Sequence, residues 1–275
     1  MKKILAFVCA ASMSLSLFAL DIFNYVPVVG NVRNYTETNF AISSKFGNYF
    51  RTPNAKVLHT LNKDGQETEF TELTAKDAVI SKTVNTYDVY GNLTAQTCYD
   101  AEQNIIWKSE TTYKGSNKAD ISEYGKDNIL KSKIIFTYTD NLLTDETGYD
   151  GEGALIWKTI YKYDEAGKVS IMDEYNADGS LSIETSYAYA DDGKIASIAV
   201  FDAESRTTEK KVFRYAANGT LSEITSYNND EEITKRLTVK YDNGGNVSKL
   251  SEYEIAQKFG TTVNELVSMS EFTYQ

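Results

Sequence analysis

Histidine, cysteine and proline are almost missing from this chain. Its 275 residues include one histidine, two cysteines and two prolines. The lone histidine, His59, sits in KVLHTL, a strand-like run, with no nucleophile motif beside it. A Ser-His-Asp or Cys-His site needs such a pairing, so His59 reads as structural. Metal sites built from histidine and cysteine are excluded by count. Acidic stretches such as Asn176–Gly179 and Asp191–Gly193 lack the spaced ligands of a calcium loop and read as turns. None of the 39 acidic residues stands apart as a glycosidase pair. No glycine loop has the form that cradles phosphate. No catalytic residue, cofactor or metal is expected.

Long apolar runs are scarce as well. The only one opens the chain, MKKILAFVCAASMSLSLFAL, where Lys2 and Lys3 precede apolar residues 4–19. A basic head, a short apolar run and a small residue, Ala19, make a secretory signal of bacterial type over 1–19. The run is short for a membrane helix. Cys9 raises a lipoprotein reading, but Phe7 and Val8 precede it where small residues are wanted. Cys98 is then the one cysteine of the mature chain, so no internal disulfide can form. The mature chain is expected to be soluble, exported to the periplasm or the cell surface.

Positive charge is in deficit: 28 Lys and Arg against 39 Asp and Glu give a net charge of −11. Removing residues 1–19 deletes two lysines and no acids, which makes it −13. Such a chain lacks the basic patch that nucleic acid requires.

Tyrosine is what the chain has in abundance, 20 in all. One aromatic per step can be marked at Tyr87, Tyr99, Tyr113, Tyr124, Tyr138, Tyr149, Tyr163, Tyr175, Tyr189, Phe201, Tyr215, Tyr227, Tyr241 and Tyr253. Steps of 11–12 and 14 residues alternate and make a unit of 25–26. A fixed period over most of a chain is the mark of a repeat architecture.

Each step carries a turn. In YDEAGKV, residues 163–169, pairing Tyr163 with Val169 leaves Glu165–Gly167 as a three-residue loop whose last member needs positive φ. Glycine fills that slot in most steps, and Asn128 fills it once. Gln103, Ser205 and Glu231 depart from the rule, so strained or differently shaped turns are expected there. Two 11-residue steps shorten the loop to two residues, Gly115-Ser116 and Asp140-Asn141, as primed turns do.

Strand faces alternate with a period of two. Leu155, Trp157, Thr159, Tyr161 and Tyr163 fall on one face; Ile156, Lys158, Ile160 and Lys162 fall on the other. Leu181, Ile183, Thr185, Tyr187 and Tyr189 repeat the first set. Continuing the pairing puts Tyr161 beside Ile171 and Trp157 beside Tyr175. The fold class is therefore all-β: an extended, twisted antiparallel meander of about fifteen strands built from 25–26-residue double-hairpin repeats. Its aromatic face should be covered, by curling or by the chain ends.

TYDVYGNLTAQTCYD, YKYDEAGKVSIMDEYNADGSL and VKYDNGGNVSKLSEY resemble the YD repeats of Rhs-type bacterial surface and toxin proteins. The resemblance covers about 61–274 and rests on Tyr-Asp, then glycine, then an aliphatic residue. It implies strips of β-hairpins on an exported protein. Asn92, Lys168 and Asn246 stand where that family usually has arginine after the glycine, so the fold type and not the toxin role is expected to carry over.

Residues 20–56 hold both prolines, Pro27 and Pro53, and read as an N-terminal cap before a repeat domain at 57–275. Between Tyr253 and Tyr274 the excess EIAQKFGTTVNEL reads as a longer loop or a short helix. The function expected is that of a non-enzymatic scaffold or binding surface in the bacterial envelope, with an envelope protein or glycan as partner. The alternative is a carbohydrate or cell-wall binding module using aromatic rows. Its candidate ligand contacts are Trp107, Trp157, Tyr161 and Tyr187, with burial as large face-filling side chains the competing reading for the tryptophans.

Overall fold

The computed structural model describes residues 22–45, 47–258 and 260–275. The leader and Cys9 lie outside them. After a 3-10 turn at Ile22–Asn24 come β1 (Asn34–Lys45), β2 (Asn48–Leu61), β3 (Glu67–Thr74), β4 (Val79–Tyr87), β5 (Leu93–Asp100) and β6 (Ile105–Lys114). Next are β7 (Asn117–Gly125), β8 (Leu130–Thr139), β9 (Leu142–Asp150), β10 (Leu155–Tyr163), β11 (Val169–Asn176) and β12 (Leu181–Tyr189). Last come β13 (Ile195–Asp202), β14 (Thr207–Tyr215), β15 (Leu221–Tyr227), β16 (Ile233–Tyr241), β17 (Val247–Lys258) and β18 (Thr261–Tyr274).

Each strand is hydrogen-bonded to its sequence neighbours, and β1 bonds both β2 and β18. Tyr35 stands opposite Tyr274 on one side and His59 on the other. The sheet is thus closed and eighteen-stranded, a barrel by topology. This corrects the expected open meander of about fifteen strands. The physical reason lies at the two ends. In the segment expected to cap, β1 pairs through residues 35–41 with the last strand, and β2 pairs with β1 on its other side. Within the stretch expected as a longer loop or a short helix, residues 254–258 pair with 261–265 as the two arms of a long hairpin, β17–β18. Closure removes the bare edges that an open sheet would expose.

By compactness the described chain divides into two units, 83–187 with 200–206, and 22–82 with 188–199 and 207–275.

The turns follow the expected chemistry. In the loop after β10, Asp164 N–H donates to Lys168 C=O at 2.8 Å, and Gly167 N–H to Asp164 C=O at 3.0 Å. Gly167 has φ 76°, and Gln103, Asn128 and Glu231 take the same slot at 67°, 59° and 58°. Asp140 and Asn141 both have positive φ, as a type I′ turn requires. At Ser205 the turn is differently shaped, and its neighbour Arg206 takes the positive φ.

What alternation alone misses is a bulge beside many of the repeat's turns. Tyr163 does face Val169, but the register then shifts, so that Lys162 faces Ile171, Tyr161 faces Met172 and Trp157 faces Asn176. The extra residue is Ser170, whose hydroxyl bonds Lys162 C=O at 3.2 Å. Thr68, Ser222 and Thr234 occupy the same place and bond Thr60, Arg214 and Ser226. A bulge of this kind turns the following side chains to the other face. Tyr175 therefore stands opposite Lys158, not Trp157. Leu155 and Leu181, paired with Tyr149 and Tyr175, leave the aromatic face too.

Two faces result in each unit. In the first, Ile134, Phe136, Trp157, Thr159 and Tyr161 share the covered face. Ion pairs line the other, Lys133–Asp120 and Lys158–Asp145 at 3.3 Å and Lys162–Asp173 at 2.8 Å. In the second, Phe213, Ile224 and Val239 are buried on the covered face. There the N-terminal segment lies over it: the Tyr25 ring is 5.1 Å from that of Phe213, and Ile22 is buried.

The left-handed slot gives a direct test. No atom lies within 4 Å of a Cβ built on Gly167, so Gly167→Val acts through backbone strain alone. It should cost about 1–3 kcal/mol. Glu231→Gly relieves the same strain and should be neutral or stabilising. Urea melts of both variants check the pair; equal destabilisation contradicts the turn assignment.

Candidate functional site

Several tyrosines at the ends of even-numbered strands share one interaction. Tyr113 donates its hydroxyl hydrogen to Leu93 C=O at 2.9 Å, Tyr163 to Leu143 C=O at 2.6 Å and Tyr215 to Ile195 C=O at 2.9 Å. Tyr241 and Tyr274 do the same to Leu221 and Val247. Each acceptor opens, or nearly opens, the preceding strand. Side chains on a sheet ordinarily stand upright from it. A hydroxyl that reaches the neighbouring strand, about 4.8 Å away, instead lays its ring across the sheet. These clasps line one end of the strands.

In the first unit, that end carries a cleft of about 570 Å³. Tyr87, Tyr113, Phe136 and Tyr138 supply its rings; Asn92, Ser116, Asn117, Lys118 and Glu146 supply its polar groups. It lies beside the two-residue turns Gly115-Ser116 and Asp140-Asn141, the shortest reversals in the repeat.

Opposite charges meet here. Lys118 Nζ sits 5.9 Å from the centre of the Phe136 ring. Burial pushes the Glu146 carboxyl above its ordinary range, while the Tyr161 hydroxyl, donating at 2.9 Å, and Lys118 draw it back. Burial, reinforced by Glu146, holds Tyr161 protonated far above the usual phenol range. Glu174, opposite Thr159 and Ile183, is likewise raised by burial and then by Glu146. The arrangement can bind through stacking, amide hydrogen bonds and one charge of each sign.

The four residues singled out in the sequence lie on the covered face but do not line the cleft. Trp157 lies on Gly148; a Cβ there would come within 2.3 Å of its ring. Trp107 stands opposite Cys98 and Gly125. Tyr161 reaches the cleft's lining through Glu146, and Tyr187 is half-buried in β12. The lining residues missed by sequence reasoning, Tyr87, Tyr113 and Tyr138, were visible as repeat markers. Lys118 and Asn92 were not, since both are ordinary turn-flanking residues.

His59, in the second unit, is stacked 4.1 Å from Tyr35 and meets Glu67 Oε1 through Nδ1 at 2.5 Å. Its ring lies nearly parallel to that of Tyr35, at an interplanar angle of 4°, with Phe70 6.4 Å away. Among the described residues no cluster of three metal-ligating side chains occurs.

Two substitutions probe this face. Gly148→Ala forces a methyl against Trp157 and should cost about 1–3 kcal/mol, read from a thermal or urea melt. Glu174 has a folded-state pKa above its ordinary 4.5. The folded state therefore holds its proton more tightly than the unfolded one. Its contribution is favourable at acid pH and is lost as pH rises through the raised pKa. Glu174→Gln should flatten that loss and raise the melting temperature at neutral pH; an unchanged pH profile contradicts it.

No protein family matches the chain, and no curated protein does. Solved structures with some likeness include a porin-like protein from Bacteroides uniformis, at 10% identity and a TM-score of 0.49, covering 90% of this chain and 99% of that one. A porin-like protein from Bacteroides vulgatus follows at 12% identity and 0.21, covering 89% and 98%. The TcdB2-TccC3-TEV structure is similar at 11% identity and 0.22, covering 78% of this chain and 17% of that one. All three scores fall below 0.5, too low to carry fold or function from those proteins to this chain.

Proposed function

We propose that the mature chain is an exported, non-enzymatic β-repeat protein that acts as a scaffold or binding surface in the bacterial cell envelope. The cleft at the clasp end of the first unit carries this reading. Its walls are rings and amides held in place by turns and by tyrosine clasps, and a concave, aromatic lining with a few fixed polar groups suits recognition. Export rests on the leader-like opening of the sequence. No helix among the described residues is long and apolar enough to cross a membrane. The face opposite the aromatic one bears ion pairs, among them Arg236–Glu223 at 3.4 Å in the second unit.

A carbohydrate or cell-wall binding module is the second reading. The ring of Tyr113, laid across the sheet beside the cleft, favours it, since a flat ring can stack on a sugar.

Cell fractionation with surface proteolysis tests the first reading, followed by pull-down of envelope extract on the purified chain. Recovery with the envelope and specific capture of an envelope component are expected. Recovery in the cytoplasm overturns it. Capture of peptidoglycan alone, or glycan-array binding, replaces the first reading by the second.

A further inference from the structure

Two turns at the clasp end share the pattern Asp-x-x-Gly-Asn followed by an aliphatic residue: Asp88–Leu93 in the first unit and Asp242–Val247 in the second. Their geometry agrees in detail. Asp88 Oδ1 accepts the N–H groups of Tyr90 and Asn92 at 2.8 and 2.9 Å. Asp242 Oδ1 accepts those of Gly244 and Asn246 at the same distances. Gly91 and Gly245 have φ 83° and 86°. Tyr113 clasps Leu93 C=O, and Tyr274 clasps Val247 C=O.

The second turn holds a peptide. The Asn246 carboxamide accepts the Val29 N–H at 2.7 Å and donates to the Val29 C=O at 3.1 Å. Both hydrogen-bonding groups of one non-helical residue are thereby satisfied. The Val29 side chain comes 3.7 Å from where a Cβ on Gly245 would stand. Asn92 occupies the matching place in the first unit. Its amide donates to Asp88 Oδ2 at 2.9 Å, within its own turn, and it lines the cleft.

We propose that the cleft of the first unit binds an extended, apolar peptide segment of a partner protein, gripped at one residue by Asn92 as Asn246 grips Val29. This rests on the binding-surface reading and names the class of partner. The gripped residue must offer both its N–H and its C=O, so it is non-helical and not proline. Apolar side chains beside it meet Tyr113, Phe136 and Tyr138. Asn92 exchanges its bond to Asp88 for two bonds to the peptide. At about 570 Å³ the cleft lies in the range of small-ligand pockets, roughly 300–1,000 Å³.

The probe is a labelled peptide with the sequence of residues 24–30, NYVPVVG, titrated into the full mature chain by fluorescence anisotropy. Saturable binding is expected, weakened about tenfold or more by Asn92→Ala, with folding verified by circular dichroism. A second peptide, NYVPVPG, lacks the N–H at the gripped residue and should bind correspondingly less well to the unaltered chain, a result independent of any protein variant. Absence of binding, or equal binding of both peptides, or indifference to Asn92→Ala, overturns the proposal. Binding of chito-oligosaccharide in place of peptide also overturns it, while leaving the chain a binding surface. Specific peptide binding by a chain recovered in the cytoplasm supports the cleft and sinks the envelope reading, so the two fail separately.

Discussion

The carboxylate or amide that opens so many of these turns is the constraint from which the rest follows. Asp88, Asp100, Asp150, Asp164 and Asp242 each accept two backbone N–H groups of their own loop, and Asn62 and Asn228 do likewise. Those donors would otherwise be left unsatisfied at a reversal. Fixing the loop fixes the strand register, and the register decides which tyrosine can reach which carbonyl. Burial of Tyr113 and Tyr163 across neighbouring strands is thus a consequence of the turn rather than its cause.

The Tyr-Asp pair so frequent in the sequence has a plain physical meaning in this light. In Tyr163-Asp164 and Tyr241-Asp242 the tyrosine clasps the strand before it and the aspartate ties the loop after it. One residue works across the sheet and the next along the chain. At Tyr99-Asp100 and Tyr149-Asp150, which end odd-numbered strands, the aspartate ties the loop in the same way.

Much of this was legible. The tyrosine steps located the strands, and the glycine slots located the loops, down to the primed turn at Asp140-Asn141. The faces were legible only in part, because period-two counting assumes an unbroken ladder. The residues that break it, Ser170, Ser222, Thr68 and Thr234, were a readable pattern: a hydroxyl directly after the first residue of a strand, an aliphatic one before all but Thr68. Their short side chains satisfy a carbonyl across the strand, and this stabilises the extra residue. Closure could not be read at all. It depends on β1 meeting β18, partners more than 200 residues apart with no repeat marker in β1. The site was missed for a related reason. Large aromatics such as Trp157 drew attention, yet their size is matched to glycines like Gly148 opposite them. The cleft joins the repeat's own Tyr87, Tyr113 and Tyr138 to modest residues, Asn92 and Lys118 among them, which the register brings together.

Closure also sets a rule of growth. In a ring of strands where every neighbour runs antiparallel and consecutive strands sit side by side, the strand count must be even. Eighteen satisfies this; nineteen would force one parallel seam. Lengthening by two strands keeps every neighbour antiparallel, and two strands are one unit of 25–26 residues, two tyrosine steps. The repeat length is therefore the smallest addition that the ring absorbs without a parallel seam.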